Sequence, residues 1–172
     1  MAAGNTYIPI ATQTVSGSPT SVTFSSIPGT YTDLMIVTQT AFTAGTDLYY
    51  RFNGDTASNY SYTILSGTGA ATVSARVSNA ISGILDYYGN PITTVGDSMM
   101  YMNIFNYANT TTYKTSLSRS SRGTSSGGGT DAIVNLWRST AAITSITFGG
   151  GSGLSQTWVN GSVISLYGIA AA

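Results

Sequence analysis

The stretch at residues 47–65, DLYYRFNGDTASNYSYTIL, decides the fold class. Leu48-Tyr49-Tyr50-Arg51-Phe52 is a dense aromatic run of the kind that fits a pleated, half-buried surface. Asn53-Gly54 follows directly, and both residues tolerate the positive φ that a tight turn demands. The Asp55 side chain predicts a cap for a single helical turn over residues 56–59. Tyr60-Ser61-Tyr62-Thr63-Ile64-Leu65 then resumes as a strand, with its tyrosines two apart on one face. The stretch therefore reads strand, polar corner, strand. Arg51, Asn53, Gly54, Asp55, Asn59 and Tyr60 are its structural corner, not a catalytic loop.

Outward from this centre the chain repeats the same grammar. Residues 7–15 predict an edge strand, because Pro9 cannot donate to a ladder. Residues 21–25 alternate around Val22 and Phe24 and predict a hairpin with the first strand. Pro28-Gly29 fits the centre of a type II turn. Leu34-Met35-Ile36-Val37 is apolar on both phases, which predicts a central strand covered on both sides. Residues 72–85 read as strand, short break, second strand, and Tyr87-Tyr88-Gly89-Asn90-Pro91 as loop. Further strands are expected at 99–105, 112–117, 132–137, 143–148 and 163–169. Residues 118–130, SRSSRGTSSGGGT, read as a flexible Gly/Ser/Arg-rich loop, and residues 149–153 as a second glycine-rich loop. Ten or eleven short strands without any helical period predict a single all-β domain spanning residues 1–172. Its architecture is an antiparallel sandwich of jelly-roll type, with a barrel as the runner-up. Residues 1–10 form an N-terminal arm in this reading.

Charge narrows the function classes. Only 7% of the residues are charged, against about 25% on average. Six basic residues balance six acidic ones, and glutamate is absent. No net field draws the chain to nucleic acid or to an anionic membrane, so neither is an expected partner. A chain that gives up the protection of net charge is suited to life inside an assembly. No stretch approaches the ~18 apolar residues of a membrane span. The first residues carry neither the basic region nor the apolar run of a signal peptide, so synthesis in a cytoplasm without export is expected.

The inventory of reactive groups is short. The chain has no histidine and no cysteine, which removes the Ser-His-Asp triad, the cysteine nucleophile and the usual zinc ligands. No Walker loop occurs. Asp33, Asp47, Asp55, Asp86, Asp97 and Asp131 all sit at expected strand ends or turns, where backbone capping explains them better than a glycosidase pair. Asn53, Asp55 and Asn59 offer too little charge for calcium. Neither enzymatic activity nor a cofactor is expected. Arg119 and Arg122, both in the 118–130 loop, are candidates for pairing with carboxylates of a neighbouring protein. Tyr49, Tyr50, Tyr60, Tyr62, Tyr87, Tyr88, Trp137 and Trp158 are candidates for a sugar platform or a subunit interface. Among them Trp137 is expected in the core and Trp158 at the surface.

Three pieces together carry a resemblance. They are Tyr31-Thr32-Asp33-Leu34, the run from Arg51-Phe52-Asn53-Gly54-Asp55 to Asn59-Tyr60, and Gly161-Ser162 before Leu166-Tyr167-Gly168-Ile169. The pattern resembles small virion proteins of tailed bacteriophages, in particular capsid decoration (cement) proteins and some tail-fibre tips. The resemblance implies a non-enzymatic β-sandwich that acts as a homotrimer on the capsid surface, made in the host cytoplasm. Its partners would be other copies of itself and the major capsid protein. The expected shell contacts are the arm, with Tyr7, Ile8, Pro9 and Ile10, and the loop with Arg119 and Arg122, both gaining order on binding. A receptor-binding fibre tip that recognises host glycans is the alternative.

Overall fold

The computed structural model describes residues 6–87, 94–96, 98–124 and 127–170. Twelve strands follow one another in these residues: β1 (Tyr7–Thr14), β2 (Ser21–Phe24), β3 (Asp33–Gln39), β4 (Leu48–Phe52), β5 (Tyr60–Gly67), β6 (Thr72–Ala80), β7 (Gly83–Ile84), β8 (Ser98–Phe105), β9 (Lys114–Thr124), β10 (Gly127–Trp137), β11 (Ile146–Gly150) and β12 (Val163–Ile169). An eight-stranded sheet runs β1-β12-β3-β8-β9-β10-β5-β6, and a four-stranded sheet runs β2-β11-β4-β7. Every pairing is antiparallel. From β1 to β5 the chain changes sheet at each step, the wrapping that makes an antiparallel jelly-roll sandwich.

The core lies between the sheets and follows the period of two. In β3, Leu34 and Ile36 are fully buried, while Met35 and Val37 are half-exposed on the outer face. The strand expected to be covered on both sides is thus covered on one. Phe24, Phe42, Tyr50, Phe52, Phe148 and Trp158 fill the space between the sheets. Trp158, expected at the surface, is fully buried; its ring lies 4.7 Å from that of Phe42, and its Nε1 donates to the Thr20 carbonyl at 3.1 Å. Trp137 is in the core as expected. Two glycines mark where a side chain has no room. A Cβ on Gly83 would stand 2.3 Å from the Tyr50 ring, and one on Gly168 would stand 2.3 Å from the Tyr31 ring.

Several local expectations are corrected. β1 and β2 do not form a hairpin: β1 pairs with β12 and β2 with β11, in different sheets. Gly29 does not take the positive φ of a type II turn. Asp55 caps no helical turn. Its Oδ1 accepts the Ala57 N–H at 2.9 Å in an Asx-type turn. The described residues of the 118–130 segment are strand and not loop: 118–124 belong to β9 and 127–130 to β10, which pair over eleven positions from Gly127↔Thr124 to Trp137↔Lys114, and residues 125–126 lie outside the described residues. Gly149 and Gly150, read as loop, lie in β11. The N-terminal arm is a strand from Tyr7 onward, and Ile10 packs on the core. Of the expected loop at 87–91, residues 88–91 lie outside the described residues, as do Asp97 and residues 1–5.

The reason the strand expected at 112–117 does not read on through residue 124 in the sequence is physical. The inward phase of β9 is Lys114, Ser116, Ser118, Ser120 and Arg122, all buried. A strand whose buried face is entirely polar has no apolar alternation to read. The polar groups are largely paired: Ser116 Oγ meets the Tyr50 hydroxyl at 2.9 Å, and Lys114 Nζ donates to the Thr112 and Thr140 carbonyls at 2.7 and 3.2 Å.

Candidate functional site

Arg119 and Arg122 are three apart in a strand, so they point to opposite faces. Arg122 turns inward, is 9% exposed, and its guanidinium lies 3.5 Å from Asp131 Oδ2. It is no candidate for contact with a neighbour. Arg119 is exposed on the outer face of the eight-stranded sheet and has no hydrogen-bond or ion-pair partner among the described residues.

Around Asp131 the interior holds a polar cluster. Asp131 Oδ1 accepts from Ser66 Oγ at 2.5 Å, and Oδ2 accepts from Ser120 Oγ at 2.8 Å and from the Tyr87 N–H at 3.1 Å. Asp86 is also buried. Its Oδ1 accepts the Leu48 N–H at 2.6 Å, while Oδ2 has no hydrogen-bond partner. Burial pushes the Asp86 carboxyl up to about 7, with Asp131 adding to the rise and the Leu48 N–H and Arg122 opposing it. Asp47, half-buried, is pushed up to about 8 by burial first and then by Asp86. Three of the six aspartates therefore converge, although each looked like an isolated turn residue. One signal was available. Asp131 shares its strand phase with Ile133, Asn135 and Trp137, all buried, and so points into the core. The cluster has no thiol or imidazole, and no group of acidic residues suited to a metal ion occurs among the described residues. It ties β5, β9 and β10 to one another and to the segment after β7, which in turn holds β4, as an internal brace.

The six corner residues are consumed by the corner. Asn53 and Gly54 both take positive φ, 52° and 68°, and the Asp55 N–H returns to the Phe52 carbonyl at 2.9 Å. Asn53 Oδ1 accepts the N–H groups of Thr144 and Ser145 at 2.9 and 3.1 Å. Asp55 Oδ2 accepts from Asn59 Nδ2 at 2.9 Å and from Trp137 Nε1 at 2.7 Å. Burial acts to raise the Asp55 carboxyl, and these bonds with that from Ala57 outweigh it and hold it below its ordinary value. Arg51 donates to the carbonyls of Ile81 and Ser152 at 3.1 and 2.8 Å, and the Tyr60 hydroxyl accepts the Phe52 N–H at 2.9 Å. Oxygens so occupied leave nothing for a cation.

The outer face of the eight-stranded sheet is different. Register places Val37, Tyr101, Arg119, Ala132 and Leu65 in one row across five strands, and Met35, Asn103, Leu117, Val134 and Thr63 in the next. Leu65 is 61% exposed, Val134 52%, Phe105 42% and Tyr101 40%. Met35, Tyr101, Asn103, Arg119 and Thr130 border an open depression of about 430 Å³. A second depression of about 410 Å³ lies on the other side of Arg119, toward Leu65 and Val73. Of the expected arm residues, Tyr7 and Pro9 are exposed at the far edge of this sheet, and Ile8 and Ile10 are half-buried.

No protein family matches the chain, and no curated protein does. Among solved structures it is similar to the galectin LEC-6 of Caenorhabditis elegans, at 6% identity and a TM-score of 0.33, over 99% of this chain and 100% of that one. It is also similar to a xylan β-1,4-xylosidase of Bacillus halodurans, at 7% identity and a TM-score of 0.26, over 81% of this chain and 28% of that one. Eiger TNF of S. frugiperda matches at 10% identity and a TM-score of 0.22, over 98% and 96%. Likenesses at this level carry no argument about what the chain binds.

Proposed function

We propose that this chain is a non-enzymatic structural protein that assembles through the outer face of its eight-stranded sheet, and that it serves as a capsid decoration protein of a tailed bacteriophage. The observation that carries the first part is the exposure of Leu65, Val134, Phe105 and Tyr101 on one continuous sheet face. Several large apolar side chains exposed together on one face mark it as a candidate interaction surface. Eight strands about 4.8 Å apart and about seven residues long span roughly 34 by 24 Å, about 800 Å². A standard interface covers about that area on each partner. Sparse charge lowers the desolvation cost of covering it. A cyclic homotrimer suits the face better than a two-fold dimer. In a head-to-tail ring Arg119 meets a different patch of its neighbour, whereas a two-fold axis through the middle of the face, where β9 lies, would bring Arg119 close to its own copy. The phage assignment rests on the sequence resemblance, and the major capsid protein is the shell partner it implies.

Light scattering on the purified chain, followed by cryo-EM of particles carrying it, tests the reading in two steps. A trimer that Val134→Asp dissociates, found along the heads of particles, is the expected result. A monomer at high micromolar concentration, or particles that carry the chain only at the tail, would defeat it. The second outcome would favour the fibre-tip reading, for which the ring, amide and guanidinium of Tyr101, Asn103 and Arg119 beside one depression are a plausible glycan surface. A glycan array reads that directly.

A further inference from the structure

The two sheets have four edges, and three of them are blunted. β1 carries Pro9 and a register break between Pro9 and Ala11, β2 has four residues, and β7 has two. Proline, irregularity and shortness are the usual guards against strand addition. β6 is neither short nor interrupted by proline, and its register breaks only at its last residues. It spans nine residues without proline or an internal glycine, and it pairs only with β5. Its one irregularity, Asn79 at φ 58°, lies at its far end, so residues 72–78 pair in regular register. Every second backbone N–H and C=O of that run points outward without a partner among the described residues.

The side chains of β6 say what kind of strand fits. Val73, Ala75 and Val77 are half-buried on the inner side, and Ala75 and Val77 pack on the second core cluster of Tyr62, Ile64, Ile84 and Ile133. A neighbour with apolar residues on that phase would complete their cover. On the outer side Thr72, Ser74, Arg76 and Ser78 are exposed, and Arg76 has no hydrogen-bond or ion-pair partner among the described residues. Arg76 is also the middle residue of β6. A second copy paired antiparallel over the full strand would set Arg76 opposite Arg76, and directly opposed like charges destabilise a ladder.

We propose that β6 is an acceptor edge for β-strand addition, and that its occupant is an extended segment of a different chain. That segment alternates apolar and polar residues and places a carboxylate opposite Arg76. Main-chain hydrogen bonds supply the attachment, and the carboxylate sets the register. The backbone edge that would take the added strand borders the outer sheet face, with Arg76 at the margin of that face, and the inference does not need the chain to decorate a capsid.

The test uses the full chain and a capped synthetic peptide, Thr-Val-Glu-Val-Thr-Val-Thr, with amide hydrogen exchange followed by NMR. The expected result is slowed exchange confined to residues 72–78 at millimolar peptide or below. Lysine in place of the glutamate should weaken binding on the order of ten-fold, and Arg76→Glu should reverse that preference. N-methylation of alternate peptide residues should abolish binding. Arg76→Ala, which leaves the backbone edge intact, should bind both peptides alike. The proposal fails if neither peptide slows exchange in β6, or if the glutamate and lysine peptides bind the native chain equally. It also fails if β6 becomes protected with rising protein concentration and no peptide, because the occupant would then be a second copy.

Discussion

Replacing Asp86 with asparagine should change how stability depends on pH more than it changes stability itself. The Asp86 carboxyl titrates near 3.8 when unfolded and at about 7 in the fold, where burial opposes its charge. A carboxyl raised in the folded state contributes stability that is fully present below the unfolded value and is lost as pH rises through the folded value. At pH 8 the fold bears the whole shift, about three units or about 4 kcal/mol. At pH 5 the folded carboxyl is protonated and only the first unit or so is lost, under about 2 kcal/mol. Native protein should therefore lose about 2–3 kcal/mol between pH 5 and pH 8 through this group. The neighbouring charges, Arg122 and Asp131, move the midpoint without reversing the sign. In Asp86→Asn the amide oxygen can still accept the Leu48 N–H. The amide nitrogen takes the place of the unpartnered Oδ2, at a cost of about 1–3 kcal/mol. That cost is the same at both pH values and cancels in the comparison. Removing the charge also relaxes Asp47 toward its ordinary value. Urea unfolding at pH 5 and pH 8 should show the variant's curve flatter than the native one by about 2–3 kcal/mol, or roughly 4–12 °C in Tm. Parallel curves for the two proteins would refute the reasoning.

Other substitutions test packing and the face separately. Gly168→Ala drives a methyl into the Tyr31 ring and should cost about 1–3 kcal/mol in a urea titration. Trp158→Ala empties a fully buried site and should cost about 3–5 kcal/mol, whereas the same change at a surface tryptophan would cost little. Asn53→Ala removes the acceptor for two backbone N–H groups at a positive-φ position, and should lower stability by about 1–3 kcal/mol by the same assay. Val134→Asp should leave thermal stability within about 0.5 kcal/mol while shifting the light-scattering mass toward monomer.

The parts of the fold that sequence pattern exposes are those where burial and apolarity coincide. β12 matches its expected bounds, and β3, β4 and β5 lie where apolar and aromatic runs placed them, because their inward phases are rich in Ile, Leu, Phe and Tyr. The same rule hides the second half of β9, since the inward phase of that strand is serine with a lysine and an arginine at its ends. It also hides the first residues of β10, where glycines stand in the ladder. Trp158 was misread because its burial comes from the chain crossing beneath it: its N–H bonds the Pro19 carbonyl, far away in sequence. Pairing partners were the least legible element. Nothing local in residues 7–14 says that they lie beside 163–169, since the hairpin alternative satisfies the same local preferences. The aspartate cluster failed for the same reason, with Asp47, Asp86 and Asp131 meeting only after both sheets are assembled. Arg119 and Arg122 read as neighbours on one loop, and the period of two separates them as soon as the segment is a strand.

The pairing of β1 with β12 also governs how the molecule bears load. Tyr7 sits opposite Ile169, and the Ala170 N–H bonds the Thr6 carbonyl at 3.1 Å, so both chain ends leave from the same corner. Tension applied between them acts across the ladder and not along it, so its hydrogen bonds are loaded one at a time, as in a zipper. Force carried through the two ends would peel β1 away at low tension. Force entering through the broad sheet face would be shared by all eight strands.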